Sequence, residues 1–298
     1  MGSDRSPPPT DTDAFTPLDW ALFGAVGGIW GASFLFIAIG LDHFHPGLIT
    51  LMRVGLGALA LAAFPAARSK RIAARDRGRL VAVSFVWVAV PFTLFPLAEE
   101  HINSAVTGLL NGATPMFAGL FGALFFNRRP RGPQLTGMFV GFAGVALVSL
   151  STTTDGGTAI VGVLMVLFAT ACYGVATHLA ASLQRTYGSL VVMSRMLALA
   201  TVFTAPFGLW GLARSDFGWS SLVAVSVLGV VGTGIAFALM GNLIGRVGAH
   251  RATFITFVTP VVSLFLGVMF RDDKVTSMAL VGVGLVIGGA LVASRREA

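Results

Sequence analysis

Two arginines stand inside otherwise apolar stretches: Arg53 in LITLMRVGLGALALAAF (48–64) and Arg195 in VVMSRMLALATVF (191–203). A guanidinium stays charged at any physiological pH and presents N–H donors in a planar fork that fits a carboxylate or phosphate through two parallel bonds. At the centre of a membrane helix it costs about 2.5–3.5 kcal/mol on insertion scales, so each arginine needs a compensating environment. Two roles are open. The side chain can snorkel to its own headgroup layer, or it can face the interior of a helix bundle, pair with carbonyls or with an anionic group of a ligand, and help close a gate. Arg53 follows Pro46 by seven residues, about 10 Å along a helix. Arg195 lies six residues into a later apolar stretch that runs the other way, so the two are expected as mirror-related groups on either side of a midplane.

Other polar residues fall on helical stripes. Thr107, Asn111 and Thr114 are spaced i, i+4, i+7; Thr170, Tyr173 and Thr177 form a second stripe, and Thr253, Thr256, Pro260 and Ser263 a third. Trp30 with Ser33, and Ser84 with Trp87 and Pro91, add two more. Stripes on different helices can line one shared cavity, although Ser and Thr in membrane helices ordinarily satisfy their own backbone. The candidate substrate-binding and gating set is Trp30, Arg53, Trp87, Asn111, Tyr173, Arg195 and Thr256, with Pro115 and Pro260 as candidate hinges. Small-residue pairs such as Gly137/Gly141 suit close helix packing rather than a site.

Acidic residues lie in loops, the N-terminal tail or span ends; Glu99, Glu100 and His101 close one apolar stretch. No buried carboxylate is therefore expected, and with it no proton coupling. His178 is expected to be a satisfied histidine near the membrane edge. The chain has no HExxH, no GxSxG and no pair of buried aspartates, so no catalytic residue, no metal site and no cofactor is expected. The single cysteine, Cys172, has no partner within the chain for a disulfide.

The elements that must position these residues are long and apolar. Of 298 residues 55% are hydrophobic and 11% charged, against about 25% charged in a soluble domain. Ten stretches approach the ~20 residues that cross a hydrocarbon core: 19–41, 46–67, 80–98, 102–126, 135–151, 158–183, 189–211, 219–245, 250–270 and 277–294. The expected fold is an all-α integral membrane protein of ten transmembrane helices joined by short connections, with residues 1–17, polar and proline-rich, as a disordered tail. Fifteen of the twenty Lys and Arg residues, including six in RSKRIAARDRGR (68–79), fall on one side of a ten-span chain; Arg214, Arg271 and Lys274 fall on the other. The positive-inside rule then puts both termini in the cytoplasm. The net charge of +7 lies at membrane edges, where it suits anionic headgroups. No basic stripe with interleaved aromatics points to nucleic acid, and the expected partners are a small-molecule substrate and the lipid bilayer around a chain that can act as a monomer.

The chain repeats itself. ATPMFAGLFGALFFNR (113–128) aligns with VTPVVSLFLGVMFRDD (258–273), and TGMFVGFAGVALV (136–148) with LVGVGLVIGGALV (280–292). IWGAS (29–33) overlies CYGVA (172–176), and LMRVGLGALAL (51–61) overlies MSRMLALATVF (193–203). Five spans per half is an odd number, so the second half (158–294) crosses the membrane in the opposite sense to the first (18–151). That 5+5 inverted repeat is a transporter pattern with the site between the halves near the midplane. Neither an intramembrane hydrolase nor a channel accounts for it.

These residues resemble the EamA family of the drug/metabolite transporter superfamily. The resemblance is carried by WGASF (30–34) in span 1, the arginine of span 2, and TP followed by an apolar run and a charged loop in spans 4 and 9. It implies a ten-span carrier in the cytoplasmic membrane that exports amino acids or other small zwitterionic or anionic metabolites. A carrier for nucleotide-sugars or phosphorylated metabolites of the same superfamily is the alternative, and it would place several basic residues in the cavity. Small multidrug relatives exchange protons for cations through a carboxylate in their first span, which this chain lacks.

Overall fold

A computed structural model describes residues 15–126, 132–153, 158–247, 252 and 255–293. Most of the expected tail 1–17, Thr253 of the third polar stripe, and several of the loop and terminal arginines (Arg5, Arg128, Arg129, Arg131, Arg251, Arg295 and Arg296) lie outside the described residues.

Helix α1 (Pro17–Leu41) begins with Pro17 inside its first turn and a reciprocal cap: Thr16 Oγ1 accepts from the Asp19 N–H, and the Asp19 carboxylate accepts from the Thr16 N–H. Helix α2 (Pro46–Ala62) starts the same way, on Pro46 with His45 as cap. A short 3₁₀ turn, Pro65–Arg68, leads to α3 (Ala74–Val83), which runs through a π turn, Ser84–Ala89, into α4 (Val90–Glu99). The π turn has a covalent cause. Pro91 has no N–H for the Trp87 carbonyl, and the Val90 N–H reaches back five residues to Phe85.

Helices α5 (Ser104–Asn111) and α6 (Thr114–Phe125) are two halves of one span. Pro115 cannot donate to the Asn111 carbonyl, so the helix breaks at Gly112–Ala113, and the Thr114 hydroxyl takes that carbonyl instead at 2.8 Å. Then follow α7 (Pro133–Thr153), α8 (Ala159–Tyr187), α9 (Ser189–Leu212) and α10 (Trp219–Gly229). A second π turn, Val230–Ile235, joins α10 to α11 (Ala236–Val247), and α12 (Ile255–Arg271) and α13 (Ser277–Ala293) complete the chain. Pro260 lies within α12, yet α12 stays continuous through it, unlike the break at the aligned Pro115.

Among the described residues seven helical segments are long and apolar enough to cross a membrane, and three apolar helices, α2, α12 and α13, are shorter at 17 residues each. No strand occurs among the described residues. Large apolar side chains stand exposed in mid-helix, such as Leu59, Phe139, Val202 and Phe265, as a bilayer solvent permits and water does not. The tightest helix pair is α7 with α13. Any side chain at Gly137, Gly144 or Gly289 would collide with the partner helix's backbone, so glycine is required there for close approach.

The two ends of the bundle differ in charge. One end, here called acidic, gathers the connections around Asp42, Glu100, Asp216 and Asp273; the opposite, basic end holds Arg68–Arg79 and Arg246. An ion pair fastens α1 at each end: Asp42 takes both terminal nitrogens of Arg271 at 2.9 Å, and Asp19 pairs with Arg246.

Candidate functional site

The arginine of α2 is buried. Arg53 retains 6% exposure, its Nε donates to Thr233 Oγ1 at 3.3 Å, and its guanidinium carbon lies 3.9 Å from the centre of the Phe92 ring. A guanidinium over an aromatic face gains on the order of 0.5–2 kcal/mol, more as water is excluded. Its two terminal nitrogens have no protein acceptor within hydrogen-bond reach among the described residues, and no carboxylate lies within ion-pair distance. A buried cation with unfilled donors is what a ligand carboxylate requires.

Three local devices hold that arrangement. The π turn of 230–235 presents Thr233, whose hydroxyl donates five residues back to the Leu228 carbonyl at 3.1 Å while accepting from Arg53. Gly57, one helical turn beyond Arg53, lets Thr233 approach; a Cβ there would sit 2.7 Å from Thr233 Cγ2. Phe92 is fixed from the other side. Pro96 leaves the Phe92 carbonyl without its helical donor, and the Thr50 hydroxyl, which also meets the Pro46 carbonyl at 3.0 Å, supplies one at 3.1 Å. Arg53 thus rests on α2, α4 and the α10–α11 turn together.

Tyr173 of α8 joins this group. Its ring lies 5.9 Å from Phe95, which follows Phe92 on the same face of α4 and meets Phe34 at 5.6 Å. Trp30 and Trp87 are half-buried and pack on the same core cluster as Tyr173, with Trp30 edge-on to Phe237 at 5.9 Å. Asn111 ends α5 with its Oδ1 buried and unpartnered. Thr256 is partly buried on α12 beside Pro260, which packs close to Gly112 at the α5–α6 break.

Arg195 is not part of this group. It is exposed on α9, on the stripe Arg195–Ala198–Val202–Leu209 that faces away from the bundle, while Met193, Ser194, Met196 and Leu197 turn inward. The structure divides the two roles open to the arginines, and their joint place in one candidate gating set is corrected: Arg53 is buried in the bundle and Arg195 is exposed, in position to snorkel. His178 has the satisfied environment expected of it, with Nε2 2.8 Å from the Ala118 carbonyl and its ring stacked on Phe126 at 4.6 Å.

A second correction concerns carboxylates. The expectation that none is buried fails twice. Asp19 is 4% exposed, though paired with Arg246. Glu99 is only partly exposed as a residue, and both of its carboxylate oxygens are inaccessible with no hydrogen-bond partner. A span-end position does not place a side chain in water when the last helical turn is covered. Sequence reasoning also missed Phe92 and Thr233. Phe92, Phe95 and Glu99 follow the i, i+3, i+7 spacing of one helix face, a signal present in the sequence. Thr233 depends on a π turn that no spacing rule marks.

Seven helical segments among the described residues, long and apolar enough to cross a membrane and with large apolar side chains exposed along them, define a multi-pass membrane protein. The EamA-like transporter family model matches twice, over residues 19–150 and 160–295, and the chain belongs to that family. It is 26% identical to the "Probable terminal-alkyne amino-acid exporter" of Streptantibioticus cattleyicolor, with 93% of each chain covered. It is 26% identical to the "Probable amino-acid metabolite efflux pump" of Escherichia coli, covering 89% of this chain and 90% of that one. An "Uncharacterized transporter YdfC" of Bacillus subtilis is 24% identical over 88% of this chain and 86% of its own length. One solved crystal structure superposes with a TM-score of 0.64 at 20% identity, covering 94% of this chain and 98% of its own, a likeness of fold alone.

Proposed function

We propose that this protein is an alternating-access carrier that exports small zwitterionic or anionic metabolites, amino acids foremost, across the cytoplasmic membrane. The observation that carries the reading is Arg53: a buried guanidinium, seated on Phe92 and braced by Thr233, whose two terminal nitrogens await an acceptor. The names of two relatives, an amino-acid exporter and an amino-acid metabolite efflux pump, agree with a carboxylate as that acceptor. Trp30, Trp87, Tyr173, Asn111 and Thr256 supply the surrounding contacts, and the helix break before Pro115 together with Pro260, inside the continuous α12, supplies the hinges.

In this reading the halves 18–151 and 158–294 are inverted copies, both termini are cytoplasmic, and the acidic end faces outward. The double family match and the two π turns support it. Those turns, at 84–89 and 230–235, fall at nearly the same offset as the sequence matches between halves. Rocking of one half against the other exposes Arg53 to alternate sides. A nucleotide-sugar or phosphorylated substrate would call for several converging cations, and Arg53 is the one buried basic side chain among the described residues.

The deciding experiment is counterflow with the purified protein in liposomes, preloaded in turn with each of the common amino acids. Accumulation of labelled amino acid against a preloaded one supports the reading. Accumulation only with phosphorylated or sugar-nucleotide cargo would replace it with the alternative.

A further inference from the structure

Two open chambers indent the acidic end, of about 490 and 460 Å³, and they share Asp42, Glu99 and Glu100 in their walls. Glu99 stands between these chambers and the interior. Its exposed atoms line both chambers, whereas its two carboxylate oxygens have no solvent access and no donor. On the inner side, Arg53 sits over Phe92, two helical turns back from Glu99 on the same face of α4. An ionised carboxylate in such a place, with neither water nor donor, carries an effective penalty of several kcal/mol.

We propose that Glu99 is a proton-binding site of the carrier, loaded from the chambers at the acidic end. Its protonation decides whether Arg53 faces an opposing charge. With the proton bound, Arg53 is left to an external anion; with the proton lost, a negative charge two helical turns along α4 weakens the attraction of that anion to the site. The site itself stands without the transport reading, and only this link to an anionic cargo rests on it. The charged groups facing Glu99 come from every side. Arg53 stands on α2, Arg271 at the end of α12 and Asp273 just after it. Asp42, His43 and His45 (α1–α2), Glu100 and His101 beside it, and Arg214 and Asp216 (α9–α10) line the chambers through which the proton arrives. Asp42 is held by Arg271, and Asp273 by Ser104 Oγ and the Ala105 N–H, so both are engaged elsewhere while Glu99 is not.

The test uses the full-length protein in lipid nanodiscs and the apolar reagent dicyclohexylcarbodiimide, which adds to a protonated buried carboxyl group and rearranges to a stable N-acylurea. Peptide mapping by mass spectrometry should find the adduct on Glu99 at about pH 6, with a yield falling up to about tenfold per pH unit once the pH passes the group's midpoint. Glu99→Gln should lose the adduct and Glu100→Gln should keep it. Infrared spectroscopy should show a neutral-carboxyl carbonyl band that is missing in Glu99→Gln. An unmodified Glu99 in the wild-type protein at about pH 6, or equal modification of Glu99→Gln, overturns the proposal. Should Glu99→Gln fail to fold, the wild-type peptide map and its pH course decide the question alone. Failure of the adduct leaves the amino-acid counterflow result untouched, so the two readings fall separately.

Discussion

Arg53→Lys separates a ligand fork from a structural charge. Lysine keeps the positive charge and can still lie near Phe92, but it presents a compact ammonium where arginine presents two parallel donors. The two terminal nitrogens of Arg53 are unfilled by protein, so a bound carboxylate gains both bonds from arginine and one at best from lysine. A hydrogen bond to a charged group contributes ~1.5–3 kcal/mol. At about 1.4 kcal/mol per factor of ten, Arg53→Lys should weaken apparent affinity roughly ten- to a hundredfold. Arg53→Ala, which removes both bonds and the charge, should bring flux to background. Folding should survive, because the lost cation–π contact and Thr233 bond are offset by relief of a buried charge. The assay is concentration-dependent counterflow in liposomes, with folded protein quantified by size exclusion in detergent. Arg195→Lys and Arg195→Ala serve as controls, and neither should alter KM, because that side chain faces outward. Unchanged KM and flux in Arg53→Lys would remove the fork from the mechanism. Lost flux in a well-folded Arg195→Ala would mean that the exposed arginine carries the function instead.

Three further outcomes follow from the geometry. Cysteines placed at Ala73 on the basic end and Lys274 on the acidic end, both exposed, should react with an impermeant maleimide from opposite sides of the membrane; the buried native Cys172 should stay silent. Labelling of both from one side would remove the proposed topology. Asp42→Asn should change stability by no more than ~1 kcal/mol, since its ion pair with Arg271 is half-exposed, yet it should raise severalfold the reactivity of a cysteine at Ala38 in the adjoining chamber; unaltered reactivity would show that the pair does not hold that end closed. Gly289→Leu should abolish folded protein in detergent, because the added side chain would meet the backbone of α7 at Gly137 and Gly141. Normal yield would mean that the α7–α13 approach is looser than described.

The apolar helices were legible in the sequence because hydropathy alone marks them: nine of the ten expected stretches begin on or near described helices, seven described helical segments are long enough to span and three are shorter, and the stretch 250–270 begins before the described part of its helix. Which face of each span turns inward was not legible. Arg53 and Arg195 occupy equivalent-looking apolar runs, and a helix that is apolar all round gives no stripe to orient it. What separates them is the neighbour each helix meets. Close approach at Gly57 and Gly229 draws the Arg53 face of α2 against the α10–α11 turn, whereas Arg195 heads a row of exposed residues. Glu99 was misjudged for a related reason: span-end position was read as solvent, although the turn is covered by the connections around Asp42 and Asp273.

Prolines link the helix breaks to the candidate site. Each one in a span deletes a donor four residues after a particular carbonyl, and the fate of that carbonyl sets the local geometry. At Pro91 the helix widens into a π turn that carries Trp87; at Pro96 the stripped Phe92 carbonyl is taken by Thr50 of another helix, which fixes the ring beneath Arg53; at Pro115 the carbonyl passes to Thr114 and the helix breaks. At Pro260 the helix continues despite the same deletion. Of these four, the Pro96 case binds two helices through the freed carbonyl, and it lies between Phe92, the ring beneath Arg53, and Glu99. The cation's seat and the carboxylate therefore lie on one helix segment, Phe92–Glu99, while the helix breaks lie elsewhere, in α5–α6 and at the π turns. In the proposed cycle, a proton arriving at one end of that segment and an anion at the other would meet parts of one helix, as a carrier needs if its two ligands are to sense one another.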